Sequence, residues 1–158
     1  MSKSQMHICL AEDDSDDREL FRQALEATDP ELRVTTVAEG STLIDRLRDC
    51  GDDLPVILFL DINMPEKNGL ECLAEIRADN GPLKDLRVVM LSTSANPKHI
   101  SEAWHNGAAF YAIKPIDFTS LTKVIRKVLS HDWESTVPQD NFVIDYNPPG
   151  IRQLHWHL

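Results

Sequence analysis

The sequence predicts an α/β fold, in which a doubly wound, five-stranded parallel sheet carries helices on both faces. Five short apolar runs alternate along the chain with segments of helical periodicity, and this alternation is typical of parallel sheets. The run Val56–Leu60 is apolar at every position, which a strand covered on both faces requires. We therefore expect helices on both sides of the sheet.

The first three strand–helix units follow from apolar spacing and from capping residues. Asp14, Ser15 or Asp16 is expected to cap the first helix, because short polar side chains accept hydrogen bonds from free backbone N–H groups there. Gly51 is expected to close the second helix. The predicted bounds are His7–Ala11 and Ser15–Thr28, then Leu32–Val37 and 40–51, then Val56–Leu60 and Gly69–Ala78.

The last two units follow the same logic. Asn96 followed by Pro97 predicts a helix start, since asparagine caps well and proline fits the first helical position. Gly107 is expected to end that helix. The predicted bounds are Val88–Leu91 and 97–107 for the fourth unit, then Phe110–Ile113 and Phe118–Ser130 for the fifth.

The order of the strands places the functional site. Crossovers between parallel strands are right-handed, and five strands favour the flavodoxin-like order 2-1-3-4-5. In this order the connections leave strands 1 and 3 toward opposite faces, and a crevice opens at the carboxyl ends of these strands. We expect the site to lie in that crevice.

Composition excludes several classes of function. The formal net charge of −10 argues against general affinity for nucleic acids or anionic membranes. No run of roughly 18 apolar residues is present, so no transmembrane helix is expected. The three cysteines (Cys9, Cys50 and Cys72) have no metal-ligand spacing, and we expect reduced thiols in a cytoplasmic protein.

Polar residues follow four of the predicted strands. They are Glu12 and Asp13 after strand 1, Asp61 after strand 3, Ser92 after strand 4 and Lys114 after strand 5. Carboxylates in one cleft repel one another, and a hard cation such as Mg²⁺ relieves that repulsion. With the hydroxyl of Ser92 and the ammonium of Lys114, this set is a receptor for a phosphoryl group on Asp61, since carboxylates form acyl phosphates.

Five motifs occur in order at these strand ends. They are Glu12-Asp13-Asp14, Asp61-Ile62-Asn63-Met64-Pro65, Gly69, Leu91-Ser92 and Lys114-Pro115. Each is weakly specific alone, but the ordered set resembles the response-regulator receiver family of the CheY-like superfamily. The resemblance covers residues 6–130. It implies a response regulator of a two-component phosphorelay that is switched by phosphorylation.

The resemblance implies a role for each residue of the acidic set. Asp61 matches the phospho-acceptor of the family. Asp13 and Asp61 match the residues that ligate Mg²⁺ directly, and the main-chain carbonyl of Asn63 matches a third ligand. Glu12 matches an acidic residue that holds a metal-bound water. Mn²⁺ is expected to substitute for Mg²⁺.

The resemblance also implies a switch. Ser92 matches a hydroxyl that moves to bond the phosphoryl oxygen, and Lys114 matches the lysine that pairs with it. Tyr111 matches the aromatic residue whose ring turns inward when the hydroxyl moves. The bond before Pro115 matches one that is often cis, so we predict a cis Lys114–Pro115 peptide. Phosphorylation is then expected to shift the face formed by the fourth helix, fifth strand and fifth helix.

The last part of the chain differs in pattern. We predict a receiver domain over residues 1–130 and a C-terminal extension over 131–158 that forms no separate domain. The extension has no clear period and no helix-turn-helix, so we expect a single-domain regulator that signals by protein–protein interaction. Residues 131–158 form either a partly ordered extension or a strap across the fourth or fifth helix of a dimer partner. His155 and His157 are too small a ligand set for a metal site.

Partners follow from the resemblance. Receivers with such extensions resemble regulators that pair with phytochrome-like sensor kinases, and the segment Ser94–Pro115 favours this interpretation. We expect a sensor histidine kinase of that phytochrome-like type and a downstream protein as partners. A homodimer through the face of the fourth helix, fifth strand and fifth helix is a further expectation.

Other functions are less favoured by the residues. An aspartate-nucleophile phosphatase usually needs a second carboxylate two residues after the nucleophile, where this chain has Asn63. A receiver-like binding scaffold that is never phosphorylated would not need the intact acidic set, Ser92 and Lys114. A nucleotide-binding domain is disfavoured because no glycine-rich loop follows the first strand. We therefore expect a signalling domain and not an enzyme.

Overall fold

The computed structural model describes residues 6–135 and 137–148. The strands are β1 His7–Ala11, β2 Arg33–Val37, β3 Ile57–Asp61, β4 Val88–Ser92, β5 Phe110–Ile113 and β6 Val143–Ile144. The helices are α1 Ser15–Thr28, α2 Gly40–Asp49, α3 Gly69–Arg77, α4 Pro97–His105 and α5 Phe118–Leu129, with short 3₁₀ turns at Pro82–Asp85 and Gln139–Asn141. Within the described ranges, no helix combines the length and the apolar character that a membrane crossing demands.

The strands form one parallel sheet in the order β2-β1-β3-β4-β5-β6. This confirms the predicted doubly wound α/β fold and the order 2-1-3-4-5, and it adds a sixth strand beside β5. The strands β1, β3, β4 and β5 are buried at every position, because helices cover both faces of the sheet. The edge strand β2 is buried only at Val37.

Apolar side chains form two clusters, one on each face of the sheet. The first joins α2, α3 and α4 to the strands, and the second does the same for α1 and α5. Neighbouring residues of a strand point to opposite faces, so Leu58 belongs to the first cluster and Phe59 to the second. The two clusters therefore cover both faces of the sheet beneath the strand ends.

Two strands extend one residue further than predicted. Asp61 is the last residue of β3 and pairs with Leu91, while Ser92 is the last residue of β4 and pairs with Ile113. The ladder continues past them, because Ile62 N donates to Leu91 O at 2.9 Å. Both polar side chains therefore stand on ordered strand ends and not in loops.

Capping side chains set where the helices begin. Asp14 accepts hydrogen bonds from the backbone N–H groups of Asp16 and Asp17, so it is the cap of α1 among the candidates. Asn96 caps α4 in the predicted way, with Pro97 at the first helical position. Asn68 forms a reciprocal capping box with Glu71 at the start of α3.

The described part of the C-terminal extension returns to the sheet of its own chain. Val143 and Ile144 of β6 pair in parallel with Tyr111 and Ala112 of β5. Phe142 and Ile144 are buried in the two opposite clusters. In this part the extension differs from the strap expected on a dimer partner. The pair at positions 155 and 157 lies outside the described residues.

The peptide bond before Pro115 is trans, so the predicted cis bond is wrong. An X–Pro amide retains a trans preference of roughly 0.5–1 kcal/mol, and only tertiary contacts reverse it. Here the contacts are compatible with the trans form. The side chain of Asn147 bonds to Lys114 O at 3.1 Å and to Ile116 N at 2.9 Å, on either side of the proline.

Candidate functional site

Three carboxylates meet at the carboxyl ends of β1 and β3. Ligand atoms of Glu12, Asp13 and Asp61 all lie within 4.8 Å of one another. Glu12 and Asp61 are buried, while Asp13 is exposed. The cluster thus reaches from the interior to solvent, in the crevice where the strand order places it.

Lys114 brings a positive charge to this cluster. Its Nζ lies 2.6 Å from Glu12 Oε1 and 3.3 Å from Asp61 Oδ2. Asp17 Oδ2, on α1, is 3.6 Å away. The side chain of Lys114 is 19% exposed, so the ammonium sits at the rim of the buried pair. One ammonium therefore faces several carboxylates, and the site keeps a negative balance.

Burial and neighbouring charges shift the pKa values of Glu12 and Lys114. Burial raises the pKa of Glu12 to about 8, with a further contribution from Asp61, while Lys114 opposes the shift. Burial by itself lowers the pKa of Lys114, but Asp61 and Glu12 outweigh it, and the pKa of Lys114 is raised. Lys114 therefore stays cationic at neutral pH.

Asp61 has an oxygen atom without a hydrogen bond. Within the described residues, no group donates to its buried Oδ2. Its Oδ1 accepts from the backbone N–H of Asn63 at 3.3 Å. A buried carboxylate oxygen without a hydrogen bond costs stability, and the ammonium of Lys114, 3.3 Å from Oδ2, offsets part of that cost. The atoms of this cluster that could ligate a metal are all oxygens, so the residues fit a hard divalent cation.

Ser92 and Tyr111 both engage Ser94, in the connection between β4 and α4. The buried Ser92 Oγ accepts from Ser94 N at 3.1 Å. Tyr111 is fully buried, and its hydroxyl donates to Ser94 O at 2.7 Å. Burial raises the pKa of Tyr111, so its hydroxyl remains a donor. The ring thus points inward, and both residues hold the same short connection.

Sequence reasoning missed one residue and left another unexplained. Arg18 donates to the carbonyl oxygens of Glu12 at 2.8 Å and Asp13 at 3.4 Å, which fixes the turn after β1. A Cβ atom on Gly69 would lie 2.2 Å from the carbonyl oxygen of Asp61, so only glycine fits there. Nothing in the spacing of an arginine on α1 signals a bond to these carbonyls.

A cavity of about 370 Å³ adjoins the acidic cluster, between α1 and the beginning of α5. Glu12 and Lys114 line its inner end. Apolar side chains, among them Phe21, Leu91 and Ile116, line the rest. The cavity therefore combines an apolar wall with access to the charged groups.

Comparison with known proteins decides the family. Residues 8–126 match the response regulator receiver domain. The chain belongs to the response regulator receiver family. Receiver domains are signalling domains of two-component systems. The predicted resemblance is confirmed over nearly the same residues.

Two curated proteins show how far the similarity extends. Response regulator Rcp1 of Synechocystis sp. is 29% identical over 134 residues, which cover 82% of this chain and 90% of that protein. The probable methanogenesis regulatory protein FilR2 of Methanothrix harundinacea is 29% identical over 124 residues, covering 77% of this chain and 79% of that protein. Both are similar along most of their length.

Solved structures confirm the CheY-like fold and the likeness to phytochrome-associated regulators. The phosphorylated cyanobacterial phytochrome response regulator RcpA is 32% identical with a TM-score of 0.71, covering 85% of this chain and 99% of its own. The Mn²⁺-bound form of Rcp1 is 28% identical with a TM-score of 0.69, covering 84% and 97%. The bacteriophytochrome response regulator RtBRR is 28% identical with a TM-score of 0.67, covering 97% and 90%.

Proposed function

We propose that this receiver domain accepts a phosphoryl group from a histidine kinase on Asp61. The observation that carries the proposal is the state of the Asp61 carboxylate. Its Oδ2 is buried without a hydrogen bond, and the ammonium of Lys114 stands 3.3 Å away. A nucleophilic oxygen and a fixed positive charge therefore share one small crevice, as phosphoryl transfer requires.

The transfer is a displacement at phosphorus. An oxygen of Asp61 attacks the phosphorus of a phosphohistidine, a P–O bond forms, and the P–N bond breaks. The electron pair of the broken bond stays on the imidazole of the kinase, which takes up a proton as it leaves. Lys114 then pairs with a phosphoryl oxygen, since its Nζ already lies between Glu12 and Asp61. The product is an acyl phosphate on Asp61.

The acidic cluster is the proposed Mg²⁺ site. Asp13, Asp61 and the main-chain carbonyl of Asn63 would hold the ion directly, and Glu12 would hold it through a water. Convergence of the three carboxylates within 4.8 Å supports this assignment. So does the Mn²⁺-bound form of the similar Rcp1, which also supports Mn²⁺ as a substitute. When bound, the ion supplies positive charge to the oxygens of the transferring group.

The switch uses the connection that Ser92 and Tyr111 share. The Ser92 hydroxyl would turn from Ser94 N to a phosphoryl oxygen, and Ser94 would lose one of its two anchors. This shifts the population of the β4–α4 connection and of the neighbouring face. Since β6 lines β5, a second copy of the chain would meet α4, α5 and β6 at the proposed homodimer face.

A phytochrome-like sensor histidine kinase is the proposed phosphodonor. The similarity to RcpA and RtBRR, which are phytochrome and bacteriophytochrome response regulators, supports it. Phosphotransfer profiling against phytochrome-like and unrelated histidine kinases tests the choice. Preferential labelling by an unrelated kinase would overturn the phytochrome assignment and leave the phosphorelay assignment intact.

The central test is an Asp61→Asn variant incubated with phosphoramidate and Mg²⁺. The wild-type chain is expected to gain one base-labile, hydroxylamine-sensitive phosphoryl group, and the variant none. Chelation of the metal with EDTA is expected to abolish labelling of the wild type as well. Asp45→Asn is the matched control, because Asp45 is an exposed carboxylate on α2. Labelling of the Asp61→Asn variant at the wild-type rate would refute the assignment of Asp61 as the phospho-acceptor.

A further inference from the structure

Asn147 joins the C-terminal extension to the loop that carries Lys114. Its side chain is buried, with 8% of the residue exposed. Its Oδ1 accepts from Ile116 N at 2.9 Å, and its Nδ2 donates to Lys114 O at 3.1 Å. Only this orientation of the amide satisfies both bonds, because a flipped amide would place donor against donor. The two bonds are made to the residues on either side of Pro115.

The backbone of Lys114 is therefore held at two points. Its N–H donates to Ser92 O at 2.7 Å within the sheet. Its C=O receives the bond from Asn147. The ammonium of Lys114 reaches Glu12 and Asp61 from this anchored backbone. Asn147 thus helps to determine where the ammonium stands relative to the phosphoryl site.

The same extension contacts two further parts of the proposed switch. The backbone N–H of Tyr111 donates to Phe142 O at 2.9 Å. The ring of Phe142 meets Trp104 of α4 edge-on, with ring centroids 5.1 Å apart. The extension therefore touches β5 at Tyr111, the loop at Lys114, and α4. A movement of any of these elements changes a contact of the extension.

We propose that Asn147 is a positioning residue for Lys114, and that it couples docking of residues 139–147 to the phosphorylation of Asp61. This inference rests on the proposed function. A movement of the Lys114 ammonium toward a phosphoryl group then strains the backbone that the bond from Asn147 to Lys114 O holds. Coupling of this kind is reciprocal, so a docked extension favours the Lys114 position that accepts the phosphoryl group.

The test uses Asn147→Asp in the full chain. The substitution keeps the shape and the acceptor for Ile116 N, but it removes the donor to Lys114 O. Asn141→Asp is the control, because Asn141 is exposed in the same extension. Two quantities are measured: the NMR resonance of Lys114 Nζ, and the rate of Asp61 phosphorylation by phosphoramidate with Mg²⁺.

We expect Asn147→Asp to move the Lys114 resonance and to slow phosphorylation about tenfold, within the ~10²-fold that a misplaced group costs. The control is expected to change neither. In a Lys114→Ala background, Asn147→Asp should cause no further loss of rate, because no ammonium is left to position. An equal additional loss there would show a general structural role and overturn the proposal.

Two further outcomes separate this inference from the proposed function. An unmoved Lys114 resonance in Asn147→Asp overturns the positioning role, whatever the labelling shows. If the resonance moves but the wild type takes no phosphoryl group on Asp61, positioning stands and the phosphoryl coupling fails with the proposed function.

The coupling can also be tested on the wild-type chain alone, without relying on the folding of a variant. Beryllofluoride with Mg²⁺, a phosphoryl mimic, should change the hydrogen-exchange rate of the Tyr111 amide, which bonds the extension at Phe142 O. An unchanged rate with the mimic bound overturns the coupling. A change supports it.

Discussion

Phe142 anchors the C-terminal extension in the core, and its truncation tests the sixth strand directly. The residue is 1% exposed, lies in the cluster with Tyr111, and packs against Trp104. Burial of this kind makes Phe→Ala cost roughly 3–5 kcal/mol, and we expect about 3 kcal/mol because the site is near the edge of the sheet. In a chain of this size, that loss lowers Tm by about 6–12 °C.

The assay is thermal and urea unfolding of the full chain, followed by circular dichroism, with coincident transitions as the check for two-state behaviour. Val143→Ala is the matched control, since Val143 is the next residue and is 37% exposed. It is expected to change the free energy of unfolding by less than about 0.5 kcal/mol. Equally small losses for Phe142→Ala and Val143→Ala would refute docking of β6 in solution.

Two further predictions concern Gly69 and the thiols. Gly69→Ala should abolish or strongly slow Asp61 phosphorylation and cost about 1–3 kcal/mol, because its Cβ would collide with the Asp61 carbonyl. Phosphoramidate labelling and a thermal melt measure both effects. Burial raises the pKa of Cys9 to about 12, so its thiolate is scarce at pH 8, whereas Cys50 is partly exposed. Iodoacetamide should therefore alkylate Cys50 before Cys9. The alkylation rate should rise with pH, because the thiolate is the reactive form. Peptide mass spectrometry measures both.

Each of these predictions has a control. Gly81→Ala should leave labelling unchanged and cost less stability than Gly69→Ala, because its Cβ meets only the side-chain carboxylate of Asp79, at 3.2 Å, and no backbone atom. Equal effects at Gly81 and Gly69 would contradict the steric argument. Unfolding in guanidinium should make Cys9 and Cys50 react alike. Equal reaction rates in the folded chain would contradict the burial of Cys9.

The candidate site was accessible from sequence because its residues follow strands. Glu12, Asp61, Ser92 and Lys114 stand at the ends of apolar runs, and parallel strands bring their carboxyl ends to one edge. The exact strand ends were less accessible. β3 includes Asp61 because backbone pairing continues to Ile62, and pairing depends on the neighbouring strand rather than on local composition.

The sequence alone determined the five strand–helix units, the order of five strands and the identity of the acidic cluster, because hydrophobic periodicity and strand-end polarity are local signals. The tertiary structure alone decided the sixth strand, the trans bond before Pro115 and the contact of Asn147 with the Lys114 loop. Two residues are too few for β6 to show a period. The partners of Asn147 are 31 and 33 residues away along the chain, and only folding brings them within hydrogen-bonding distance.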